Sequence, residues 1–145
     1  MDVFDANEGV VIGIENLHHV GICVTDLARA KHFYGDILGL PELARPPFDF
    51  GGAWYKVGHR EIHLIVHPPT LTMRRTRAID ARDGHLAIGV RSYVETLQHL
   101  RSHGVDCLER PHNVTPWAQI YVTDPDGNVV EFTADRSTAP ALRPE

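Results

Sequence analysis

Four side chains able to hold a metal ion stand at matched places in this sequence. His19 lies in Leu17-His18-His19-Val20-Gly21-Ile22-Cys23-Val24, and a near copy returns as Asp83-Gly84-His85-Leu86-Ala87-Ile88-Gly89-Val90 with His85 in the same place. His63, in Glu61-Ile62-His63-Leu64-Ile65-Val66, and Glu131, in Val129-Val130-Glu131-Phe132-Thr133-Ala134, form a second pair at nearly the same separation. Neutral imidazoles with a carboxylate are donors that suit transition metals. A fold that brings the two copies together about a pseudo-twofold axis would converge all four on one ion. A single histidine on a strand is more often a structural or surface group than a ligand. His18, His32, His59, His67, His99, His103 and His112 lack matched partners and are read as surface, edge or helix-end residues.

The elements that must position these donors follow from periodicity. Both histidine runs alternate on a period of two, the strand signature. Val20, Ile22 and Val24 face a core, as do Leu86, Ile88 and Val90, while His19 and His85 share the opposite face with small residues that leave room beside them. Ile62, Leu64 and Val66, like Val130 and Phe132, put His63 and Glu131 on the face away from the core. Thr25 or Asp26 can cap a helix running to Asp36, with Leu27, Ala30, Phe33, Tyr34 and Ile37 at helical spacing and Gly39 as its stop. Short strands are expected over Leu40–Ala44, Phe48–Val57 and Glu61–Val66. The second half repeats the order: strand Gly84–Val90, helix Tyr93–His103 ended by Gly104, then strands Val105–Glu109, Trp117–Thr123 and Val129–Thr133. Asp124-Pro125-Asp126-Gly127-Asn128 supplies the proline and glycine of a tight turn.

Two units therefore fill residues 17–67 and 84–134, joined by a linker over 68–83. They are preceded by an extension (1–16) whose apolar run Val10–Ile14 packs on the domain or on a partner subunit, and followed by a polar tail (135–145) expected to fray. At 145 residues and 43% hydrophobic, the chain is one domain by size. Its formal net charge of −5, with no basic-aromatic run, argues against a nucleic-acid surface. No stretch approaches the roughly 20 apolar residues of a membrane span, and the acidic start differs from a secretory signal, so a cytoplasmic protein is expected. Cys23 and Cys107 make no disulfide framework.

The residues His18-His19-Val20, Asp26-Leu27, Phe33-Tyr34, Leu38-Gly39-Leu40, Gly84-His85, Ile88 and Asp124-Pro125-Asp126-Gly127-Asn128 with Glu131 together resemble the vicinal oxygen chelate superfamily, also called the glyoxalase, bleomycin-resistance and extradiol-dioxygenase group. The resemblance covers most of the chain. It implies an α+β fold of paired βαβββ modules curling into a mixed-sheet cup around one divalent metal (Zn, Fe, Ni, Co or Mn), with His19, His63, His85 and Glu131 as ligands. Aligned through Ala53-Trp54, His63 stands where glyoxalase I has a glutamate. Without His63, the set His19, His85, Glu131 is the two-histidine, one-carboxylate group of non-heme iron dioxygenases and manganese-type thiol transferases. With it, three imidazoles and a carboxylate favour Zn, Ni, Fe or Co over Mg.

The resemblance implies a metal acting as a Lewis acid on a small oxygen-rich substrate. Glu131 is then a candidate proton carrier, and the reaction a lyase, isomerase or dioxygenase one. A metal-free antibiotic-sequestering protein and a fosfomycin-type thiol transferase are the alternatives. A homodimer is common for such folds, and no nucleic-acid or membrane partner is expected. Trp54, Tyr55, Trp117 and Tyr121 lie on strands that would wall the cup, where they could stack on substrate or simply pack. Arg74, in a linker with Arg75 and Arg77, could clamp an anionic group over its mouth.

Overall fold

Asp26 starts the first helix: its carboxylate accepts the backbone N–H of Arg29 at 2.9 Å from an extended conformation, the geometry of an N-cap. The computed structural model that contains this cap describes residues 12–67, 74 and 76–142. Val10, Val11, the linker prolines Pro68-Pro69, Arg75 and the last three residues fall outside the described set. Ile12 and Ile14 are 67% and 54% exposed.

The first unit runs β1 (His19–Val24), α1 (Leu27–Lys31), a π-helical turn (His32–Ile37), β2 (Glu42–Leu43), β3 (Gly52–Val57) and β4 (Arg60–Val66). The second runs β5 (His85–Gly89), α2 (Tyr93–Ser102), β6 (Leu108–Arg110), β7 (Trp117–Thr123) and β8 (Val129–Asp135). Each unit forms a four-stranded mixed sheet of the same order, β1-β4-β3-β2 and β5-β8-β7-β6. In both, the first strand lies parallel to the last, β1 on β4 and β5 on β8, and the remaining pairs are antiparallel. The expected α+β architecture of repeated βαβββ units is therefore what the chain adopts.

Alternation works as the sequence implies. Ile22, Val24, Ile62 and Leu64 from the first sheet and Ile88, Ile120, Val122, Val130 and Phe132 from the second enter one core beneath the helices. Burying a side chain of this size contributes about 1.5–3 kcal/mol. Polar ties bind the units as well. Asn128 Nδ2 donates to the Cys23 carbonyl at 3.0 Å, the Thr25 N–H donates to Asp126 Oδ2 at 3.1 Å, and His99 Nε2 donates to the Ile37 carbonyl at 2.6 Å.

Three local expectations are corrected. The helix expected through Asp36 changes period after Lys31: the Leu38 N–H bonds the Phe33 carbonyl at 2.9 Å, a wider turn that keeps Phe33, Tyr34 and Ile37 all buried. The strand expected from Phe48 begins at Gly52, because residues 44–51 form a loop closed by Arg45. The tail expected to fray from Asp135 is docked at first, through a 3-10 turn (Arg136–Thr138) whose Thr138 hydroxyl accepts the Tyr93 N–H at 2.9 Å.

Candidate metal centre

Register sets the two donor pairs in the same way. Gly21 is the strand partner of His63 and Ala87 that of Glu131, so in each unit the second donor faces the residue two beyond the first donor. That residue is glycine or alanine in each case, which leaves space beside the donors.

In the first sheet the His19 and His63 rings are stacked with centroids 4.0 Å apart and planes 19° from parallel. Trp54, the strand partner of His63, stacks on its other face at 4.0 Å and 6°. His63 Nε2 lies 3.0 Å from Glu61 Oε1. A carboxylate only accepts, so Nε2 is the donor and Nδ1 is the ring nitrogen not engaged by Glu61. That hydrogen bond is the leading cause holding the Glu61 carboxyl below its usual range. His19 is lowered from the ordinary imidazole value, by desolvation first and then by the neighbouring His63 and His18 rings, which favours the neutral, metal-binding form.

The second pair is braced more tightly. His85 Nδ1 donates to the Asp83 carbonyl at 2.8 Å, and its Nε2 lies 3.9 Å from Glu131 Oε1. Fixing one imidazole nitrogen on a carbonyl so that the other is free is how proteins orient a metal-binding histidine. Glu131 is 6% exposed, and Gln119 Nε2 donates to its Oε1 at 2.8 Å. Tyr121 is the cross-strand partner of Glu131, and burial first, then that carboxylate, pushes the phenol up to about 12. The Tyr121 ring lies edge-on to His85 at 5.5 Å.

Within one chain the two pairs do not merge. Among the described residues no three His, Cys, Asp or Glu side chains gather in an arrangement that could hold a metal. β1 and β5 are both terminal strands of their sheets. A cleft of about 450 Å³ runs between them, lined by Gly21, Cys23, Arg74, Asp83, His85 and Asn128 among others. The donor types fit a divalent transition metal: imidazoles, one of them already oriented by a carbonyl, and one buried carboxylate.

The other candidates divide by face. Trp54 and Tyr121 lie beside the donors, and Trp117 is on the same face of β7 as Tyr121 but at the strand's far end, 45% exposed. Tyr55, expected on the wall, is 1% exposed in the core, since alternation turns it away from its neighbour Trp54. Arg74 lines the cleft, but its guanidinium is committed to Asp83 at 2.7 Å and to the Gly127 and Ala78 carbonyls; it braces the linker against the β7–β8 turn. Glu61 and Gln119 were not singled out from sequence. Each lies two residues from a candidate on the same strand, Glu61 before His63 and Gln119 before Tyr121, and that period-two position was the available signal.

The description glyoxalase/bleomycin resistance protein/dioxygenase superfamily matches residues 16–132. The chain belongs to this superfamily. It is similar to the uncharacterized protein YaeR of Escherichia coli (strain K12), 34% identical over 130 residues, covering 84% of this chain and 98% of YaeR. It is also similar to Glyoxylase I 4 of Arabidopsis thaliana, 27% identical over 128 residues, covering 86% of this chain and 73% of that protein. Among solved structures, a glyoxalase family protein of Bacillus anthracis superposes with a TM-score of 0.71 at 27% identity, covering 87% of this chain and 99% of its own. The superfamily fold thus spans both sheets and all four donor positions.

Proposed function

We propose that this protein is a divalent-metal-dependent lyase or isomerase acting on a small molecule that presents two adjacent oxygens, with His19, His63, His85 and Glu131 as the metal set. The observation that carries the reading is the matched offset of the two donor pairs, with the second pair already oriented by Asp83 and Gln119. Since one chain presents its donors as separate pairs beside two unpaired sheet edges, each site is completed by two copies of the chain: the His19/His63 pair of one copy meets the His85/Glu131 pair of the other. A closed homodimer of this kind uses one interface twice.

A bound divalent ion supplies Lewis-acid polarisation of the substrate oxygens. The chain's own groups do the rest. Glu131, buried and held by Gln119, is positioned to take a proton from a carbon next to a polarised oxygen and to return it. Trp54 and Tyr121 wall the donors. A proton-transfer reaction of this kind favours the lyase and isomerase readings over oxygen chemistry.

Metal content and complementation test the proposal together. Protein purified without added chelator is expected to carry about one ion per chain, lost in His85→Ala. Chains bearing His19→Ala and chains bearing His85→Ala each bind none alone. Unfolded together and refolded, they regain about a quarter of the sites, because half the dimers are mixed and each mixed dimer has one intact site. Mixed chains that stay empty while the wild type binds metal would locate the site in a single chain. A wild-type chain that takes up no metal would replace this reading with a metal-free ligand trap.

A further inference from the structure

The loop between β2 and β3 displays aromatic surface and holds it rigidly. Phe48 and Phe50 are 45% and 44% exposed, yet their rings stack at 5.1 Å and 21°. Arg45 lies over both, its guanidinium carbon 4.9 and 5.0 Å from their centroids, and its Nη2 donates to the Phe50 carbonyl at 2.8 Å. Cation–π contacts with two rings at once, plus that hydrogen bond, fix the loop. Gly52 lets this happen. A Cβ there would come within 3.0 Å of the Arg45 Nε and Nη2 atoms and would run into the Leu64 carbonyl.

The shelf continues inward. Phe48 leans on Trp54 at 6.1 Å and 51°, Trp54 stacks on His63 at 4.0 Å, and His63 stacks on His19. An unbroken file of rings runs from the candidate donors to solvent. Loops usually turn polar groups outward. This one instead uses a charged residue as the clamp that keeps two phenylalanines facing water, and such preorganisation lowers what binding must spend on ordering.

We infer that the Phe48–Phe50–Trp54 shelf selects substrates that carry a flat aromatic group next to the oxygens held by the metal; this rests on the metal site proposed above. Arg45 acts as the positioning residue of the shelf. The occupant is a small aromatic hydroxy or keto acid, or a molecule of that build, since ring-on-ring contact favours a planar group over an alkyl one of similar polarity.

Mandelate and lactate are suitable probes, because both are α-hydroxy acids with the same pair of oxygens and they differ in phenyl against methyl. Their dissociation constants are measured by calorimetry on Co(II)-loaded protein, with the visible Co(II) spectrum reporting that the ion is bound. Mandelate is expected to bind about tenfold tighter than lactate to the wild type. In Phe48→Ala/Phe50→Ala the ratio falls to about twofold while the Co(II) stoichiometry is kept. In Phe48→Tyr/Phe50→Tyr the preference survives. If the double alanine chain does not fold, Phe48→Leu/Phe50→Leu, which keeps apolar bulk without the flat face, decides instead. Equal binding of the two acids, failure of mandelate to bind, or a ratio unchanged by the loss of both rings overturns the shelf with the metal site left standing. A wild type that takes up no Co(II) overturns the metal site itself, and the shelf with it.

Discussion

Tyr34 donates its hydroxyl to Asp124 Oδ2 at 2.8 Å, a bond between residues 90 apart in sequence that links the π-helical turn of the first unit to the β7–β8 turn of the second. Both partners are buried, and Asp124 is 3% exposed. Asp124 also accepts the N–H groups of Asp126 and Asn128, each at 2.9 Å, and Asn128 Nδ2 at 2.8 Å. Tyr34→Phe removes one donor from a buried carboxylate and leaves the others. The expected loss is about 1–3 kcal/mol of stability, read from the urea unfolding midpoint. Metal uptake at the candidate centre should stay unchanged, and a midpoint equal to the wild type would deny the bond its role in joining the units.

Three of the four buried phenols lie in the core and are expected to limit the fold at alkaline pH. Burial is the first cause raising Tyr34, Tyr55 and Tyr93, and it pushes Tyr55 up to about 12. A proton held more tightly in the folded chain than in the unfolded one stabilises the fold below the unfolded value and stops doing so as pH rises through the folded value. At pH 10.0, the ordinary phenol value, ultraviolet titration should therefore find Tyr55 still neutral. Stability should fall between pH 10 and about 12. Phenolate absorbance from Tyr34, Tyr55 and Tyr93 that develops fully by pH 10 with the near-ultraviolet dichroism intact would contradict this burial.

Gln119 is the donor that fixes Glu131 Oε1, at 2.8 Å. Gln119→Leu leaves the carboxylate without that tether while keeping the residue's bulk. Partners of metal-binding groups typically change affinity by about 10- to 100-fold when removed. Competition against a chelator of known affinity should show a loss of that size, with thermal stability of the metal-free chain little altered. Unchanged affinity would remove Gln119 from the centre.

Gly127 has φ +85, and an added Cβ would press on the backbone of Thr76 and Arg77; Gly104 has φ +71 with nothing within 4 Å. Gly104→Ala should cost about 1 kcal/mol from backbone strain alone. Gly127→Ala should cost more than that, and chemical denaturation of the two variants side by side gives the comparison. Equal losses would mean that the 76–77 backbone yields freely.

Much of this architecture was legible because its causes are local. Alternation along β1, β4, β5 and β8 sorted the core face from the face that carries His19, His63, His85 and Glu131, and the duplication singled those four out as candidates. Tyr55 shows the same rule applied too loosely: as the neighbour of Trp54 on one strand it had to face the other way. What was not legible depended on contacts distant in sequence. The π-helical turn accompanies the burial of Phe33, Tyr34 and Ile37 and the bond from Tyr34 to Asp124, and the docked tail meets Tyr93 through Thr138. Arg74 read as a free cation because Asp83 and the Gly127 carbonyl, its partners, are brought to it only by the folded linker and turn. The relation between the two donor pairs is likewise a matter of how whole sheets meet, which no single stretch of sequence encodes.

The two sheets share one topology and differ in what they present. Beside its donors the first offers indole and imidazole faces, and the second an amide, a phenol hydroxyl and a carboxylate. A molecule touching both meets a stacking surface on one side and hydrogen-bonding groups on the other, so turning it over exchanges unlike neighbours. Duplication gave the frame near-symmetry, and divergence of its surfaces then removed the equivalence that symmetry would have left. Such a frame fixes which way round a ligand lies between the sheets.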